Sequence, residues 1–104
     1  MTVVNLGNTR IHIDAEGFLT KYGEWSDELA VRLAGRIGIE LTDEHWKVIR
    51  ILRADYRSRR ETATLRRVSI LTGIPIKQLF VLFPGKPAKK MAYVAGLPKP
   101  RGCV

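Results

Sequence analysis

Residues 42–56 read TDEHWKVIRILRADY. Thr42 has a side-chain oxygen suited to the orphan N–H groups that open a helix, and Asp43 and Glu44 behind it put negative charge at the positive end of the helix dipole. Trp46, Ile49, Leu52, Arg53 and Tyr56 then recur near one face, while Arg50, Asp55 and Arg57 can point to water or bond across turns. This segment is expected to be the longest helix and the centre of the core.

The neighbouring segments extend the pattern in both directions. Upstream, Ser26 caps an expected helix with Asp27 and Glu28 in its first turn, and Leu29, Leu33 and Ile37 at helical spacing before Gly38. Before that, residues 2–14, TVVNLGNTRIHID, hold two β-rich runs parted by Gly7-Asn8, a pair suited to a tight hairpin turn. A lone hairpin is marginal in water, so its apolar face must pack on the helices. Downstream, a third helix is expected from Thr64 to Thr72, stopped by Gly73. A fourth starts near Pro75 and carries Leu79, Phe80 and Phe83, and a fifth starts at Pro87 and runs through Met91 and Val94 to Gly96. Pro98 and Pro100 remove backbone donors and favour extended chain, so the ending reads as an arm. The expected fold is mainly α with a small N-terminal β-hairpin. It is a compact helical bundle over residues 1–95, containing a helix-turn-helix-like pair, with a mobile C-terminal arm over 96–104.

Length and composition bound the function. With 104 residues, 45% of them hydrophobic, the chain suits one domain. No run approaches the roughly 20 apolar residues of a membrane span, and nothing at the N-terminus resembles a signal peptide, so a cytoplasmic location with no membrane contact is expected. The formal charge is +8, yet residues 1–61 balance to zero. The whole excess lies in residues 62–104, on Arg66, Arg67, Lys77, Lys86, Lys89, Lys90, Lys99 and Arg101, with no acidic residue among them. A field of one sign favours an anionic partner, either nucleic acid or an acidic protein surface. One cysteine with two scattered histidines, His12 and His45, makes neither an intramolecular disulfide nor a usual zinc site, so no metal or other cofactor is expected.

Three features are candidates for function. The segment TLRRVSILTGIPIKQLFVLF, residues 64–83, fits a helix-turn-helix in which Val68, Ile74, Leu79 and Leu82 pack together, with Arg66, Arg67 and Lys77 nearby. Its second helix offers only Lys77 and Gln78 as base readers before turning apolar. The aromatic residues Trp25, Trp46, Tyr56, Phe80, Phe83 and Tyr93 are expected in the core rather than as a stacking platform for bases. His45, beside Glu44 at a helix start, is expected on the surface or in a cap. The third candidate is Cys103. A thiol behind Gly102, on a proline-broken arm next to the last residue, is hard to bury and implies use. Lys99 and Arg101 favour the thiolate, and the terminal carboxylate opposes it.

The ending AGLPKPRGCV, together with GEWSDELAVRLAGRIGIELTDEHWKVIRILRADY and LTGIPIKQLFVLFPGKPAKK, closely resembles the family of the dissimilatory sulfite reductase gamma subunit and its sulfur-relay relatives in transfer-RNA thiolation. The resemblance spans almost the whole chain. It implies an N-terminal hairpin on a helical bundle, a mobile arm, and a penultimate cysteine, Cys103, that carries sulfur as a persulfide between donor and acceptor proteins. Reductase-linked members have a second cysteine eleven residues earlier. Ala92 stands there in this chain, and Arg101 stands where members often have a small hydroxyl residue. On this reading Lys86, Lys89, Lys90, Lys99 and Arg101 steer the arm to acidic partner clefts, Gly96 is its hinge, and Pro98, Pro100 and Gly102 set its stiffness and freedom. From Gly96 to Cys103 the extended arm reaches about 25 Å. The chain is expected to be a monomer that forms a disulfide-linked dimer on oxidation. The other reading is a DNA-binding regulator using residues 64–83, with Cys103 as a redox sensor. At low salt, weak sequence-indifferent binding to nucleic acid is expected on either reading.

Overall fold

The computed structural model describes residues 2–101. Strands β1 (Thr2–Leu6) and β2 (Thr9–Ile13) pair antiparallel, Thr2 opposite Ile13 and Leu6 opposite Thr9, around the Gly7-Asn8 turn. Gly7 takes φ +65°, and a side chain there would overlap the Arg32 guanidinium. The chain then folds back so that Leu19 bridges Ile13, and passes through a single 3-10 turn at Tyr22–Glu24. Five helices follow: α1 (Asp27–Arg36), α2 (Asp43–Arg59), α3 (Leu65–Thr72), α4 (Ile76–Leu82) and α5 (Pro87–Val94). None is long and apolar enough to cross a membrane.

The caps read from sequence at Ser26 and Thr42 are present, with Ser26 Oγ accepting from the Leu29 N–H. Thr64, expected only as the start of its helix, caps α3 as well, its Oγ1 accepting from the Arg67 N–H. Gly73 closes α3 at φ +76°, a conformation that favours glycine. At the start of α2 the reciprocal partner of Thr42 is His45. Its Nδ1 accepts from the Thr42 N–H at 3.0 Å, while Nε2–H donates to the Leu82 carbonyl at 2.7 Å. His45 is therefore a cap, as one of its two expected roles had it, but a buried one, because the same ring also ties α2 to the end of α4.

The core has two parts. Ile11, Leu19, Leu29 and Leu33 seal the hairpin onto α1, which supplies the support a two-stranded ribbon lacks. The larger cluster gathers around Val48, Ile49 and Leu52 of α2, with Val68, Leu79, Phe83, Met91 and Val94 from α3 to α5. Phe83 is fully buried, but Phe80 is 41% exposed, against its expected place in the core. Leu79 and Leu82 fill the inward side of the short α4, and Phe80 follows Leu79 onto the outer side.

Packing does not change at the expected boundary between residues 95 and 96. Gly96, Leu97 and Pro100 are buried, and Leu97 belongs to the main core. The physical cause is local. The Leu97 N–H donates to the Ala92 carbonyl and the Gly96 N–H to that of Tyr93, with Gly96 at φ +70°. This is a Schellman ending, whose residue after the glycine packs back onto the helix. Gly102 and Cys103 lie outside the described residues.

Candidate functional site at the root of the arm

The site is built from the residues that hold the chain just before Cys103. Trp25 Nε1–H donates to the Val94 carbonyl at 2.9 Å, and a Cβ on Gly96 would overlap the same indole. Glycine is thus required twice at this position, by its positive φ and by the close approach of Trp25. Arg53 lies under the end of α5. Its guanidinium carbon sits 3.8 Å from the Tyr22 ring centroid and 4.1 Å from that of Trp25. Nη1–H donates to the Ala95 carbonyl at 2.8 Å and Nη2–H to that of Tyr22 at 3.2 Å. Burial lowers the Arg53 pKa from its ordinary value, and the two aromatic faces and two carbonyls compensate the desolvated charge. Tyr22 in turn stacks on Tyr56.

Beyond Leu97 the chain is tied at three more points. Thr62 Oγ1–H donates to the Pro98 carbonyl at 2.8 Å. Lys99 Nζ pairs with Glu16 at 3.1 Å, and Arg101 Nε lies 4.0 Å from Glu61. Tyr56, Arg60, Glu61 and Thr62 line a shallow depression with Pro98, Lys99 and Arg101. Of the residues expected to steer the arm, Lys99 and Arg101 border this depression. Lys86, Lys89 and Lys90 gather elsewhere, with Arg36, around a second depression, one of whose lining residues, Glu16, pairs with Lys99. Among the sequence-read site residues, Gly96 and Pro100 are buried, whereas Pro98 is exposed. Trp25, Thr62 and Glu16 carry no local sign in the sequence of their contacts with this segment, which span 36 to 83 residues. Arg53 gave a signal, as the one cation on the apolar face of α2.

The helix-turn-helix-like pair is occupied with structural work. Arg67 donates from Nη2 to Asp55 Oδ1 at 2.7 Å and from Nε to both carboxylate oxygens. These bonds hold the Asp55 pKa below its ordinary value. Gln78 Nε2–H donates to Glu44 at 3.4 Å, and the outer side of α4 shows Ile76, Phe80 and Val81. A recognition helix needs an outward row of polar donors. The DNA-binding reading is not supported.

A small hairpin-and-helix body holds the C-terminal chain as far as Arg101, and the only cysteine of the sequence follows two residues later. The chain belongs to the family of DsrC-like proteins, whose model matches residues 5–104. It is 36% identical to the sulfurtransferase TusE of Sodalis glossinidius, over 97% of this chain and 100% of that one. The solution structure of Allochromatium vinosum DsrC superposes with a TM-score of 0.85 at 33% identity, covering 98% of this chain and 97% of that one. The oxidized gamma subunit of the dissimilatory sulfite reductase from Archaeoglobus fulgidus gives a TM-score of 0.82 at 34% identity, covering 99% and 100%. The expected family and fold are both borne out.

Proposed function

We propose that this chain is a sulfur-relay carrier whose Cys103 holds sulfane sulfur as a persulfide and hands it to a partner protein. The observation that carries the reading is full-length membership in a family with sulfurtransferase relatives, in a chain whose only thiol lies within the matched residues. In loading, the Cys103 thiolate attacks the outer sulfur of a donor persulfide. The donor thiolate leaves, and Cys103 becomes Cys–S–SH. In delivery, an acceptor thiolate attacks that outer sulfur and the Cys103 thiolate leaves. Each step exchanges one sulfur–sulfur bond for another, so the relay needs no external oxidant, reductant or cofactor.

The packing at the arm's root supports a pivot just after Pro98. Gly96 fixes the direction in which the arm leaves the body, and withdrawing Leu97 from the core would cost about 1.5–3 kcal/mol. Beyond that point the chain is held by the exposed Lys99–Glu16 pair, which costs far less to release, and by the buried Pro100, whose small ring must be withdrawn with it. From Lys99 to Cys103 an extended chain then reaches about 17 Å. Pro98 and Pro100 limit the entropy lost when the arm enters a partner, Gly102 gives the thiol freedom to align, and Lys99 and Arg101 favour an acidic cleft. The carrier works in the cytoplasm as a monomer between a sulfur donor and an acceptor of either transfer-RNA thiolation or dissimilatory sulfur metabolism.

Mass spectrometry of the intact chain tests the reading. Incubation with a persulfide donor adds about 32 Da per sulfur, with one expected on the wild type and none on Cys103→Ser. Equal loading of the serine variant would sink it.

A further inference from the structure

We infer that the concave surface between α1 and α5 is a docking site for an acidic segment of a partner protein that inserts one branched aliphatic side chain. The inference deepens the relay reading by describing a contact that does not involve the arm. The depression, about 420 Å³ in volume, has Gly17, Phe18, Ile37 and Tyr93 in its wall and Arg36, Lys86, Lys89 and Lys90 around it. Among the described residues, none of these four cations has a carboxylate within 4.0 Å. The one acid on the rim, Glu16, is engaged by Lys99.

The placement of the lysines argues against a role in stability. Lys86 is the N-cap of α5 and Lys89 and Lys90 follow at its start, with no acidic residue in the first turn. Cations at the positive end of a helix dipole are unfavourable, and three of them together more so. A bound anion would relieve both costs. Beside the depression, and sharing Gly17, Arg36 and Tyr93 with it, an apolar slot of about 90 Å³ runs under the hairpin between Val4, Leu6, Ile11, Ile13 and Leu33. Charge next to a small apolar slot calls for carboxylates flanking an aliphatic side chain. Bases are a poorer match. Phe18 is buried and meets Tyr93 edge-on at 87°, so the two rings form no stacked platform of the kind that successive bases occupy.

The test is a titration of the full-length ¹⁵N-labelled chain at low salt with a short synthetic peptide, a leucine flanked by glutamates. The expected result is a set of shifts confined to Gly17, Leu33, Ile37 and Tyr93. Replacing the peptide's leucine by alanine, or its glutamates by glutamine, should weaken binding about tenfold, near 1.4 kcal/mol. Lys89→Glu with Lys90→Glu should weaken it at least as much, whereas the charge-matched pair Arg66→Glu and Lys77→Glu should leave it within about twofold. The peptide variants keep the test decisive should the doubly reversed protein fail to fold. Shifts scattered over the basic surface, equal binding of the alanine peptide, or displacement by an RNA oligonucleotide of equal charge at lower concentration would each overturn the proposal. No sulfur enters this measurement, so failure of Cys103 to load would overturn the relay reading alone.

Discussion

Gly96 occupies a position where a single methyl group is excluded on two grounds. Its φ is +70°, which costs a residue with a Cβ about 1–2 kcal/mol, and the added carbon would displace Trp25, endangering the indole bond to Val94. Gly96→Ala should destabilise the chain by about 2–4 kcal/mol, read as a lowered urea midpoint. Gly23→Ala, with nothing within 4 Å of the new carbon and no positive φ, should stay within about 0.5 kcal/mol. His45 is a second such residue. Its ring caps α2, bonds the Leu82 carbonyl and meets Phe83 edge-on with centroids 5.0 Å apart. His45→Ala should cost about 2–3 kcal/mol through the lost cap and the orphaned carbonyl. His45→Gln should recover part of that loss, since glutamine also completes a capping box. Equal losses for the two variants would show that the cap contributes nothing.

Among the described residues, ion pairs join one helix to another in two places, and their burial separates them. Asp27 and Arg50 link α1 to α2 at 2.7 Å, with side chains 60% and 53% exposed, so solvent and salt screen the pair and little stability rests on it. Asp55, only 8% exposed, links α2 to α3. Hydrogen bonds from Arg67, larger than the opposing effect of burial, hold its carboxyl below the ordinary range. A carboxylate with a lower pKa in the folded than in the unfolded chain stabilises fully above the unfolded value, about 3.9 for aspartate. That contribution is lost as pH falls through the folded value, because the unfolded chain takes up the proton first. Asp55→Asn should therefore be destabilised at neutral pH, and its gap from the wild type should close as pH falls below about 4. Urea midpoints measured across that range check this, and a gap that stays constant to pH 2 would contradict it.

At the scale of the whole molecule, the basic excess of residues 62–104 divides into groups with different roles. Arg67 is engaged within the body, Lys99 and Arg101 border the root of the arm, and Lys86, Lys89 and Lys90 form a separate cationic surface with Arg36. Ala92, which stands where reductase-linked relatives are read to have a second cysteine, is fully buried in the core. With no second thiol in the chain, oxidation by diamide should give a disulfide-linked dimer and no internal bridge. The dimer should disappear with reductant and in Cys103→Ser, as judged by non-reducing electrophoresis and intact mass. A dimer that survives in the serine variant would place association on the helical body instead.

The amino-acid sequence by itself determined the elements whose causes are local. The Gly7-Asn8 turn, the caps at Ser26, Thr42 and Thr64, the stop at Gly73 and the start at Pro87 each depend on side chains within a few residues of the backbone they serve. Cys103, the thiol proposed to carry sulfur, stood out for a similar reason, since a lone cysteine behind Gly102 is a property of the sequence alone. Tertiary structure decided which residues meet across long separations. It buried His45 and left Phe80 exposed, because α4 is short and one side of it faces the core. It seated Arg53 between Tyr22 and Trp25 and under Ala95, 42 residues away, an arrangement no periodicity encodes. It also brought Arg36 beside Lys86, Lys89 and Lys90 and drew Leu97 into the core. Where the arm is anchored depends on the space left between helices once they have packed, and that space exists only in the folded chain.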